Sequence, residues 1–142
     1  ISKKFILYKN GEPLINKQKL RMKELKKYLT INSIFSAKSG LTMLVLSESL
    51  NRLFNISNTY VFPILGGCLL LFAAFVWFVA TRKLASMPLI KVITILDLLW
   101  VIGSFMIVLF GLFNLSKTGN TVIVIVAIWI AFLAYKQMRY NK

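Results

Sequence analysis

The sequence has no histidine and a single cysteine, Cys68. Without histidine there is no Ser-His-Asp or Cys-His arrangement, and the commonest metal ligand and general base is missing. One cysteine rules out an internal disulfide. Acidic residues are also scarce: four Asp and Glu stand against 18 Lys and Arg, for a net charge of +14. No glycine pattern of the kind that cradles phosphates or dinucleotides is present, and Gly66-Gly67 falls inside an apolar run. These absences leave little for enzyme chemistry, so we expect a non-enzymatic protein with no metal and no cofactor.

Apolar residues dominate what is there. Of 142 residues, 58% are hydrophobic, and the mean hydropathy is +0.73. That composition belongs to the membrane class rather than to ordinary soluble domains. A charge of +14 ordinarily invites a nucleic-acid reading. Here the basic residues gather at the ends of apolar runs, so the lipid bilayer and its anionic lipids are the expected partners, and nucleic acid is not.

The expected fold is an all-α integral membrane protein, a four-transmembrane-helix bundle behind an N-terminal basic amphipathic segment. Residues 1–32 form the cytoplasmic lead-in and residues 33–140 the membrane domain. Spans are expected at about 33–54, 60–80, 89–113 and 121–140, each near the ~20 residues that a helix needs to cross hydrocarbon. The first forty residues are polar and basic, so no signal peptide is expected. This four-span layout is similar to that of many small bacterial membrane proteins, with no motif that carries a family's function to these residues.

Within the lead-in, the Asn10-Gly11 turn signal admits a hairpin over residues 3–16, with Pro13 restricting the returning strand to an edge. Residues 17–29 read as an amphipathic surface helix. Met22, Leu25, Tyr28 and Leu29 share one face, while Lys19, Lys23, Lys26 and Lys27 form a basic membrane-surface face. Arg21 is the exception on the apolar side.

Basic residues also predict orientation. Counting Lys38 with the lead-in, sixteen of the 18 Lys and Arg fall on the side of the two termini and the second connection. Only Arg52 and Lys117 fall on the other side. Positive charge is retained in the cytoplasm, so both termini are expected inside. The abundance of Lys, Ile and Asn points to an AT-rich bacterial source and hence to the bacterial cytoplasmic (inner) membrane.

Lys91, Lys136 and Arg139 fall at the ends of the expected spans, which leaves four intramembrane charged candidates: Lys38, Glu48 and Arg52 in the first span, and Asp97 in the third. An ionisable group within the bilayer costs roughly 2.5–3.5 kcal/mol or more unless it is paired or hydrated. Glu48 and Arg52 are spaced i,i+4 with the acid first, a favourable order on one helix. A repeat supplies a candidate partner for Asp97. Leu53-Phe54-Asn55-Ile56-Ser57 and Leu112-Phe113-Asn114-Leu115-Ser116 stand 59 residues apart, and the same offset relates Lys38 to Asp97. A 2+2 parallel repeat would set those two residues at matching depth.

Small residues mark expected helix contacts at Gly66 and Gly67, Gly103 and Gly111, and Ala127 and Ala131. Cys68 is expected to be a buried, inert thiol. Two functions fit these residues. The first is a non-catalytic accessory or regulatory subunit, docked on another membrane protein or on itself. The alternative is a homo-oligomeric ion- or proton-coupled transporter or channel using Glu48 and Asp97.

Overall fold

The computed structural model describes residues 8, 9 and 11–141. Tyr8–Lys9 (β1) pairs antiparallel with Glu12–Pro13 (β2), and Gly11 between them takes a positive φ of 81°. Residues 3–7 and 10 of the expected hairpin lie outside the described residues. Everything after Pro13 is helical, apart from short connections.

Leu14–Val45 forms one unbroken helix, α1. The lead-in helix and the first span are therefore continuous, with no joint at residues 29–33. The reason is local: Leu25, Leu29, Asn32, Ser33, Ser36 and Gly40 recur at helical spacing and are all buried, so one stripe runs through the expected boundary. The apolar side of the lead-in is covered by the protein itself. Leu25 and Leu29 join Val76, Val79, Ala80, Ile90 and Ile93 in one hydrophobic cluster. Tyr28 stacks on Tyr140 with ring centroids 5.9 Å apart. Lys19, Lys23, Lys26 and Lys27 are exposed, as their face predicts.

The expected first span breaks at Leu46. Ser47–Phe54 (α2) leaves α1 at an angle of 89°. A straight continuation would carry Glu48 and Arg52 along the span axis, at a cost of several kcal/mol in hydrocarbon. The bend instead lays an amphipathic helix across the end of the bundle. Asn51 and Phe54 face inward, while Glu48 and Arg52 face outward. Glu48 in the first turn and Arg52 in the last also suit the helix dipole.

Val61–Arg82 (α3), Met87–Leu109 (α4) and Lys117–Tyr140 (α5) follow. Each is long and apolar enough to cross a membrane, and α1 with α2 satisfies the same test as a bent pair. Pro88 opens α4 in its first turn, where a missing N–H costs nothing. Ser116 caps α5 by accepting from the Gly119 N–H at 3.0 Å. The described residues thus form a helical bundle of membrane-compatible helices, with α1 packed mainly on α3 and α4 on α5. α1 also packs on α5, which joins the two pairs.

The repeated motifs meet at one end of this bundle. The Ser116 N–H donates to the Phe54 carbonyl at 3.2 Å, and Asn55 Nδ2 donates to the Asn114 carbonyl at 3.3 Å. Asn55 and Asn114 share the left-handed conformation, at φ 59° and 47°. Asn tolerates that region better than most side chains. The match does not extend to packing. Gly40 and Gly66 bring α1 and α3 into backbone contact, whereas their counterparts are exposed: Leu99, 59 residues after Gly40, and Ile128, 62 residues after Gly66 once the insertion Lys117 to Gly119 is counted.

Candidate functional site

The polar centre of the molecule is assembled from three helices. α1 supplies Asn32 and Ser36, α4 supplies Thr94 and Asp97, and α5 supplies Gln137; all five are buried. Asn32 Nδ2 donates to Asp97 Oδ2 at 2.7 Å, and Gln137 Nε2 donates to the same oxygen at 3.3 Å. Thr94 Oγ1 lies 3.2 Å from Gln137 Oε1, and Ser36 Oγ donates to Asn32 Oδ1 at 3.4 Å. Beside this cluster, Ser33 Oγ donates to the Ala73 carbonyl at 2.8 Å and ties α1 to α3.

Helix geometry explains why Asp97 and Gln137 meet. Side chains lean toward the N-terminus of their own helix. α4 and α5 run antiparallel, so Asp97 and Gln137 lean toward each other. Asn32 then closes the triangle from α1. The stripes that bring these groups inward are legible afterwards: Leu25-Leu29-Asn32-Ser36 on α1 and Ile130-Leu133-Ala134-Gln137 on α5 are each one buried face.

Lys38 does not belong to this centre. It is exposed on α1, and Asp97 is held by neutral amides instead. The offset that paired Lys38 with Asp97 fails because Asn32, not Lys38, lies level with the carboxylate. Glu48 and Arg52 do form their i,i+4 pair, with 3.5 Å between Arg52 Nη2 and Glu48 Oε1. That pair is exposed on α2, outside the polar centre, and Glu48 and Asp97 do not share a site. It is the only ion pair among the described residues.

Expected packing residues divide in two. Gly66 is a true crossing point: a Cβ on it would lie 2.7 Å from the Gly40 carbonyl oxygen, and one on Gly40 would lie 2.8 Å from the Gly66 oxygen. Ala127 is buried, and Ala131 is half-buried. Gly67 and Gly103 face open space, so no helix approaches them. Gly111 serves a turn, at φ 60°, rather than a helix contact. Cys68 lies on the exposed side of α3, contrary to the buried position expected for it. The pairing Gly66–Ala73 faces α1, and the neighbouring residues Gly67, Cys68 and Ala74 consequently turn outward.

The sequence reading missed Asn32, Gln137 and Gly40. Gln137 is the one polar residue among Ile130, Leu133 and Ala134 on α5, while Asn32 and Gly40 share a mixed stripe with Ser33 and Ser36 on α1. One further buried group, Asn51 Oδ1 on the inner face of α2, has no hydrogen-bond partner among the described residues.

Chemically, the centre is a carboxylate gripped by two primary amides, with hydroxyls behind them. It holds no nucleophile–base pair. Among the described residues, no three His, Cys, Asp or Glu side chains gather closely enough to hold a metal. What the centre can do is fasten three helices in one register. A comparison with known protein families, characterised proteins and solved structures finds no match to this chain.

Proposed function

We propose that this chain is a four-span integral membrane protein that serves as a non-catalytic accessory or regulatory subunit of a membrane complex. The observation that carries the proposal is the use to which Asp97 is put. The acid buried in the bundle is hydrogen-bonded from α1 and α5 and acts as a fastener between helices. Isolated polar side chains between membrane helices commonly act in this way, each bond contributing on the order of 1 kcal/mol.

The proposed place is the bacterial cytoplasmic membrane, with both termini in the cytoplasm. Support comes from the charge bias along the sequence and from the Tyr28–Tyr140 stack, which sets the first half of α1 beside the end of α5. There the exposed lysines of the lead-in meet anionic lipid headgroups. The bent α2 lies at the opposite end.

A transporter using Glu48 and Asp97 together has less support, because Glu48 is exposed on α2 and paired with Arg52. Two variants separate the readings. In a subunit, Asp97→Ala lowers stability and assembly, while Glu48→Gln leaves both unchanged. In a transporter, both changes abolish flux through reconstituted vesicles while the fold stays intact.

A further inference from the structure

We infer that the exposed face of α1 around Lys38 docks a membrane-spanning helix of a different protein, one that carries a carboxylate at matching depth. The inference rests on the membrane-subunit reading above and names the partner's chemistry.

Lys38 lies inside the span by contact. Ser33 is bonded to the Ala73 carbonyl, and Gly40 touches Gly66, so Lys38 sits between those two levels, nearer that of Gly66, in the first half of Val61–Arg82. It faces away from the bundle. Ile34, Lys38, Leu41 and Val45 follow at i, i+4, i+7 and i+11, which makes them one stripe. The three apolar members are 46%, 53% and 78% exposed. The charge therefore stands on an apolar surface at the depth of hydrocarbon.

A lysine left in lipid within a span is costly. Snorkelling relieves this only if the ammonium reaches an interface. The nearer end of α1, at Val45, lies seven residues on, roughly 10 Å along the axis. The Lys38 stem leans the other way, toward the helix N-terminus. Among the described residues no acid of the chain reaches it, since the one ion pair joins Glu48 to Arg52.

A second copy of the chain does not supply the missing acid. Copies in one membrane share an orientation, so their acids lie at fixed levels. Glu12 and Glu24 belong to the lead-in end, Glu48 lies beyond the bend and is paired, and Asp97 is 4% exposed and hydrogen-bonded internally. These four are the acidic residues of this sequence. Charge complementarity thus calls for a carboxylate from another protein, and the stripe above and below Lys38 offers its helix an apolar seat.

Two measurements test this. In the first, the purified full chain is reconstituted in phosphatidylcholine vesicles with a labelled, leucine-rich transmembrane peptide bearing one central Asp. A second peptide with Leu in that position serves as reference, and association is read by energy transfer. The Asp peptide is expected to associate about tenfold more tightly, in keeping with 1–2 kcal/mol for a buried polar contact between membrane helices. That preference should vanish in Lys38→Leu and survive in Lys38→Arg. Equal association of both peptides, or an undiminished preference in Lys38→Leu, overturns the inference.

In the second, a photo-crosslinking side chain at Leu41 in native membranes should capture a foreign span that contains Asp or Glu. The same probe at Ile102, exposed on α4, should not capture that span. Crosslinks to a second copy, to lipid alone, or to a foreign span without an acid overturn the Lys38 inference. If an intact foreign complex is isolated but crosslinks only through Ile102, the subunit reading stands and the Lys38 face fails. If no foreign partner is isolated at all, both fail.

Discussion

Asn32 and Asp97, 65 residues apart in sequence, are joined by a 2.7 Å hydrogen bond that no charged residue shares. The bond links α1 to α4, two helices from different halves of the chain. Removing the acceptor leaves the amides of Asn32 and Gln137 buried without it. Asp97→Ala is therefore expected to destabilise the protein by roughly 2–4 kcal/mol, combining lost hydrogen bonds with a small cavity. Unfolding in mixed micelles measures this. Because both amides converge on Asp97 Oδ2, Asp97→Ala and Asn32→Ala should be less than additive, with coupling of about 0.5–2 kcal/mol.

The Gly40–Gly66 crossing makes a sharper prediction about shape. A methyl group at either glycine meets backbone oxygen, which cannot rotate away. Gly40→Ala and Gly66→Ala should each cost about 1–3 kcal/mol, whereas Gly67→Ala and Gly103→Ala should stay within about 0.5 kcal/mol of the parent. Thermal denaturation in one detergent compares all four. Equal losses at Gly66 and Gly67 would contradict the crossing.

Orientation can be read with impermeant thiol reagents on a Cys68→Ala background. With both termini inside, Ser57→Cys, in the connection after α2, should label in intact cells. Arg139→Cys, near the end of α5, should label only after the membrane is opened. The reverse pattern would contradict the charge-based orientation.

The bend at Leu46 sets a fourth expectation. Because Glu48 and Arg52 pair on an exposed surface, neutralising both should leave stability unchanged. Phe54→Ala should be costly by contrast. Its ring packs on Phe62, with centroids 5.2 Å apart, and against Gly119, pinning α2 over α3 and α5. Loss of about 2–4 kcal/mol in the same unfolding assay is expected.

Much of the fold was legible because long apolar runs have one reading. The sequence places α3 at 60–80, α4 at 89–113 and α5 at 121–140, close to the observed Val61–Arg82, Met87–Leu109 and Lys117–Tyr140. The first span was harder. Its polar residues serve two structures: Ser33, Ser36 and Gly40 line a helix contact, while Ser47 to Arg52 belong to a helix turned through 89°. Composition alone does not separate a buried polar stripe from a surface one. Asp97 stood out because an acid in an apolar run always needs a partner. Its actual partners did not, since Asn32 and Gln137 are neutral and a search by charge passes over them. The 59-residue repeat drew attention to Lys38, yet its real consequence is the meeting of Asn55 with Asn114.

The most direct test of the subunit assignment is the mass of the intact complex. The protein would be purified in mild detergent from its native membranes and weighed whole by mass spectrometry. A stoichiometric foreign membrane protein beside the 16.2 kDa chain is the predicted result. A complex built of this chain alone, conducting ions in vesicles and silenced by Asp97→Asn without loss of stability, would contradict it.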